Sequence, residues 1–257
     1  RDLDRIFRYL QHPGDLPSAP GLALFACEEL GLFEAIPLNR VHRTRLILDD
    51  TPWIAELVAA TRRAGRIPYL VDQDPSALLE ELHAGRPVLV LQNLLVRSVP
   101  RWHYAVVVGS DPAGNALLLN SGTERGLRVP APKFLRTWDW AGRWGLLALR
   151  PGELPARADP VRYLAAVADF EAVAGAAAAA PAYAAAVQRW PAEPRAHLAL
   201  GNQAYAAGDL EQAAGHYRDG LAHAPSDVVL GNNYASVLGE LGCRAEARKA
   251  LDIALGA

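Results

Sequence analysis

The chain has 257 residues, 51% hydrophobic and 21% charged, with a formal net charge of −2. That is enough apolar material for one large or two modest cores, and the charge balance gives no footprint for nucleic acid or an anionic membrane. No run of 18 or more apolar residues occurs, so no transmembrane segment is expected, and Cys27 and Cys243 alone make no disulfide framework.

The chain carries no methionine and opens on Arg1, so it is expected to be a fragment or processed form, with any targeting signal it had outside the sequence. Leu3, Ile6, Phe7 and Leu10 recur at helical spacing, and His12-Pro13-Gly14 stops that helix. Leu22 to Leu32 reads as a second helix, with Glu28 and Glu29 exposed beside Cys27. Residues 1–50 thus form a helical segment without a domain assignment. Thr51 as cap and Pro52 at the first helical position open a helix that Gly65 closes, with Ile54, Leu57, Val58 and Thr61 as its apolar face. Ile67 to Val71 is a short strand, and Pro68 argues for a sheet edge. A helix over 75–84 ends at Gly85, and Pro87 to Asn93 is a buried strand.

Leu94 to Pro100 is a loop that delivers the chain to Arg101-Trp102-His103-Tyr104-Ala105-Val106-Val107-Val108-Gly109. Ala105 to Val108 is continuously apolar and reads as a strand buried on both faces. Asp111 to Asn115 turns the chain, and Ala116 to Asn120 returns as the hairpin partner. A histidine entering a buried strand is held by sheet packing and titrates near neutrality, which suits a base. Asn120 is expected across the hairpin on the same face, where an amide would orient the imidazole. Trp102 is a candidate wall of a substrate cleft, with a rim or core aromatic as the alternative. Residues 121–126 read as a turn, 130–140 as a short helix with Phe134, Leu135 and Trp138, and 144–149 as the last strand. Pro151, Gly152, Pro155 and Pro160 mark a linker.

Beyond the linker a 34-residue period appears: Pro191 and Pro225; Ala179, Ala213 and Ala247; Tyr183 and Tyr217, with Leu251 in the third repeat. Leu200-Gly201, Gly208, Ala213, Tyr217 and Pro225 match the tetratricopeptide pattern of small residues at helix contacts. Three helical hairpins are expected, over about 161–191, 194–225 and 228–256, stacked into a short superhelix. Asn202, Asn232 and Asn233 are candidate contacts to an extended peptide or protein segment. Replacing Asn202 and Asn232 together is expected to weaken partner capture without lowering stability.

Helix, "GRPVLVLQN", loop, "WHYAVVVG", hairpin, "LLLNSGT", short helix, "RWGLLAL" resembles the histidine-bearing half of a bacterial papain-like cysteine peptidase of the double-glycine, or bacteriocin-processing, type. The resemblance runs from about Trp53 to Pro155, and its continuation through the repeats resembles bacterial proteins that join such a domain to tetratricopeptide repeats. It implies an α+β papain-like domain over 51–155 followed by an all-α tetratricopeptide-repeat domain over 161–257. It further implies His103 as catalytic base, Asn120 as its orienting residue, no cofactor or metal, a peptide or protein segment as partner, and a bacterial cell envelope or periplasmic setting. The family's nucleophile lies upstream in a Cys-Gly-Pro motif that this chain lacks. Cys27 is followed instead by Glu28 and Glu29, whose charges raise a thiol pKa. Three readings stay open: a cysteine peptidase using a Cys-His-Asn arrangement, a peptidase fold that binds peptide without cutting it, and a repeat-based adaptor.

Overall fold

The structure, a computed structural model, describes residues 52–255, Pro112 excepted. The expected helices over 1–11 and 22–32, Cys27 and the Thr51 cap lie outside the described residues. The chain divides into two compact units, one running to Ala148 and including Pro155–Arg157, the other formed by Leu149–Leu154 and the residues from Ala158 on. It is a mixed α+β protein whose C-terminal part is helical.

The first unit is built on a six-stranded sheet. Helix α1 (Pro52–Arg63), strand β1 (Ile67–Leu70), helix α2 (Pro75–His83) and strand β2 (Val88–Asn93) come first. Strands β3 (Trp102–Ser110), β4 (Ala116–Ser121) and β5 (Glu124–Pro130), helix α3 (Ala131–Asp139) and strand β6 (Gly145–Leu149) follow. The spatial order is β1-β6-β2-β3-β4-β5, and the β6–β2, β2–β3, β3–β4 and β4–β5 pairs are antiparallel. Pro68 does sit at a sheet edge, in β1. The central strand β2 is buried along its whole length. Leu89, Leu91, Tyr104, Val106 and Leu146 gather on one face around Leu57 of α1, with Trp102 and Trp144 packed against them.

Two features of the sheet depart from the sequence reading. Glu124–Pro130 is an edge strand rather than part of a turn. Its pattern is weak because four of its side chains are charged or proline and it buries little, as edge strands do. Val108, expected to be buried, is 37% exposed, because the β3–β4 register shifts between Val107 and Gly109. A bulge leaves one residue without a cross-strand partner and turns it outward.

The segment Pro155–Arg157, expected as open linker, is fastened to α2. Arg157 pairs with Glu80 Oε1 at 2.6 Å and Asp74 Oδ2 at 2.7 Å, and donates to Ser76 Oγ at 2.6 Å. The Ala156 N–H donates to the Glu81 carboxylate at 2.6 Å, and Glu81 itself is 3% exposed. Arg157→Ala should therefore speed chymotryptic cleavage at Leu154 severalfold with little change in melting temperature, because exposed ion pairs hold geometry more than they add stability. An unchanged cleavage rate would show that the segment is held by something else.

The second unit is all helical: α4 (Pro160–Ala174), α5 (Ala176–Arg189), α6 (Pro194–Ala206), α7 (Leu210–His223), α8 (Val228–Glu240) and α9 (Arg244–Leu255). The first helices of the three hairpins start at 160, 194 and 228 and the second at 176, 210 and 244, so both series advance by 34 residues. The caps keep the same step: Asp159, Glu193 and Asp227 each accept a backbone N–H at the start of a first helix. Each helix packs on its sequence neighbour. Tyr163, Leu164, Val167 and Phe170 of α4 are buried in the first hairpin, and Ala204, Ala213, Tyr217, Leu230 and Val237 form the core of the other two.

Candidate functional site

The register decides which side chains meet His103. Gln92 lies directly across from His103 on β2, and Val106 lies across from Asn120 on β4. Side chains alternate along a strand, so His103, three residues from Val106, points to the opposite face. Asn120 shares the face of Val106 and therefore lies on the wrong side of the sheet to orient His103. Its Oδ1 accepts the Gly126 N–H at 2.9 Å, which ties the β4–β5 hairpin together.

The bulge is the physical cause. Near the turn, Ser110 faces Leu117 and Gly109 faces Leu118; beyond Val108, Val107 faces Leu119. Had the turn-side register continued, Asn120 would have faced Val107 and shared the face of His103. One extra residue in β3 reverses every later side chain relative to β4. Ser121 takes the place instead: its Oγ lies 2.7 Å from His103 Nε2.

Trp102 is also corrected. As the neighbour of His103 along β3 it points to the other face, where it packs on the cluster of Leu57, Leu91 and Tyr104. It walls no cleft with His103. On the His103 face stands a polar pair that the sequence reading did not single out. Gln92 Nε2 donates to Thr137 Oγ1 at 2.7 Å, and that hydroxyl donates in turn to the Phe134 carbonyl at 2.9 Å. Gln92 and Thr137 are buried, at 4% and 5% exposure, so the bond fixes α3 against β2 beside the histidine. A glutamine inside the apolar run of β2 was the available signal, since a buried amide requires a partner.

His103 is half-buried. Burial first, and the Arg101 guanidinium second, pull its pKa down to about 4. Both effects disfavour the imidazolium, so the ring is neutral at physiological pH. The loop before it is ordered by one side chain. Asn93 accepts the Leu95 and Arg101 N–H groups at 3.2 and 3.0 Å and donates to the Val96 carbonyl at 3.2 Å. So held, the loop presents Leu94, Leu95, Val96 and Val99 to solvent.

Among the described residues the only cysteine is Cys243, exposed and in the helical unit. Among them too, no group of three or more His, Cys, Asp or Glu side chains is arranged to hold a metal ion, and no helix is long and apolar enough to cross a membrane.

In the helical unit the three asparagines have different roles. Asn202 Oδ1 accepts from the Tyr217 hydroxyl at 2.8 Å and from Asn233 Nδ2 at 3.1 Å. Asn202 and Asn233 therefore link three helices, α6, α7 and α8, while the exposed Asn232 side chain makes no hydrogen bond to a neighbour among the described residues. The structure argues against removing Asn202 without loss of stability, because buried Tyr217 would lose its acceptor. Asn202→Ala should cost about 1 kcal/mol, while Asn232→Ala should leave the melting curve where it is. Equal curves for the two variants would contradict this assignment.

A scan of the chain against protein-family models finds no match, and a search among curated proteins finds none either.

Proposed function

We propose that the sheet-bearing unit is a cysteine-peptidase-like domain that binds a peptide without cutting it, and that the helical unit is a tetratricopeptide-repeat module that holds a protein segment. The observation that carries the first half is the His103–Ser121 pair. An imidazole is fixed at the entry of a buried strand by a neutral hydroxyl, with neither a carboxylate nor a thiol among its contacts within the described residues. Acyl transfer needs a thiolate at attack distance, and the remaining machinery does not replace it. A fixed neutral imidazole remains useful as a hydrogen-bonding group, and the apolar loop over Leu94 to Val99 offers contact for peptide side chains. The 34-residue advance of both helix series supports the second half.

The test is fluorescence anisotropy of labelled extended peptides with the full chain, followed by mass analysis of the recovered peptide. The expected result is saturable binding, intact peptide, and about fivefold weaker binding by His103→Ala, the loss of one hydrogen bond. Fragments in the recovered peptide would restore the active-peptidase reading. Binding that survives in His103→Ala and disappears in Asn232→Ala would leave only the repeat-based adaptor.

A further inference from the structure

His103 has two ring nitrogens, and Ser121 occupies one of them, with Nε2 and Oγ 2.7 Å apart. A neutral imidazole carries one N–H and one lone pair, so the partner at one nitrogen decides what the other presents. The neutral ring in water already favours the proton on Nε2, and the Ser121 hydroxyl gives that proton an acceptor. The nature of the partner matters as much as its place. A carboxylate beside a histidine orients the ring and also stabilises its cation; a hydroxyl only orients it. Burial and the nearby Arg101 work against the cation as well. Among the described residues, Arg101 is the one charged group that acts on the ring.

We propose that Ser121 is the positioning residue of His103, accepting from its Nε2–H, and that it thereby makes Nδ1 a fixed hydrogen-bond acceptor for a backbone N–H of a bound peptide. The ligand half rests on the peptide-binding reading above; the tautomer half rests on the 2.7 Å contact together with the neutral ring's preference for the proton on Nε2. Ser121 owes its face to the bulge in β3: in the turn-side register it would have faced Val106, on the other side of the sheet from His103. The site is thus arranged to accept a hydrogen bond rather than to carry a proton through a reaction.

The experiment is nitrogen NMR of the full chain labelled with 15N-histidine, His103 being assigned by the loss of its signals in His103→Gln. At neutral pH the wild type should show Nε2 protonated and Nδ1 not. Ser121→Ala should mix the two tautomers, Ser121→Thr should restore the wild-type pattern, and Ser121→Asp should raise the His103 pKa by about one unit or more. An unlabelled decapeptide rich in leucine and valine should shift Nδ1 and leave Nε2 nearly still. A wild-type ring protonated on Nδ1, or a Ser121→Ala spectrum identical to the wild type, would overturn the positioning role. Peptide that binds by anisotropy without moving Nδ1 would overturn the acceptor role alone. Failure of any peptide to bind, with the tautomer intact, would overturn the acceptor role together with the peptide-binding reading.

Discussion

Gly201→Ala should destabilise the helical unit by about 2 kcal/mol or more, while the same change at Gly215 should stabilise it by about 0.5–1 kcal/mol. A Cβ built on Gly201 would lie 2.3 Å from Tyr217 Cε1 and 2.5 Å from its Cδ1, far inside van der Waals contact. The ring has little room to retreat. Tyr217 is 2% exposed, and its hydroxyl is bonded to Asn202 at 2.8 Å. Either α6 and α7 separate, which uncovers the core of Ala204, Ala213, Leu230 and Val237, or the tyrosine leaves its site. Gly215 sits in the same hairpin with nothing within 4 Å of its virtual Cβ, so alanine there gains helix propensity at no steric cost. Urea midpoints of the two variants should move in opposite directions from the wild type. Two shifts of the same sign would mean that the close approach of α6 and α7 is not what Gly201 provides.

The sheet-bearing unit should lose about 2–3 kcal/mol of stability as pH falls from 6.5 to 4, and His103→Gln should remove most of that loss. The sign follows from the direction of the shift. The histidine pKa is about 4 in the folded chain against an ordinary value of 6.5, so in this window the unfolded chain takes up the proton and the folded chain does not. Stability is complete above 6.5, falls as pH drops, and levels off below 4. Asp74 does not confuse the window. Its carboxyl is lowered to about 2 by hydrogen bonds from Ser76 and then Arg157, so its contribution is lost only below its ordinary value of 3.8. Hydrogen exchange of the β2 and β3 amides, corrected for the intrinsic pH dependence of exchange, isolates this unit from the helical one. A wild-type profile as flat as that of His103→Gln would show that the ring is not desolvated as described.

The sequence was most legible where period and burial agree. The three helical hairpins were readable because small and aromatic residues recur every 34 positions, and the helix starts keep that step. Strands β2, β3 and β6 were readable as apolar runs. Strand β5 was not, because Glu124, Arg125 and Arg128 give an edge strand the composition of a turn. The site was legible to within one residue. His103 was named from its place before the apolar run, but Ser121 was missed in favour of Asn120 because a single bulged residue at Val108 leaves no mark in composition or alternation. Gln92 and Thr137 were missed for a related reason: their pairing crosses 45 positions and depends on how α3 lies on the sheet. The internal bonds of Asn202 were not legible, because its amide serves Tyr217 and Asn233 through contacts that only tertiary packing creates.

The claim that the sheet unit holds a peptide without cutting it is tested most directly by labelling the chain with a thiol-reactive peptide electrophile at neutral pH and locating the adduct by mass spectrometry. The account predicts no rapid, His103-dependent labelling. Cys243, exposed in the helical unit, should react slowly and equally in wild type and His103→Ala. Cys27, followed in sequence by Glu28 and Glu29, should remain a protonated thiol. Rapid modification of Cys27 that disappears in His103→Ala would contradict the account and establish a working thiol–imidazole pair.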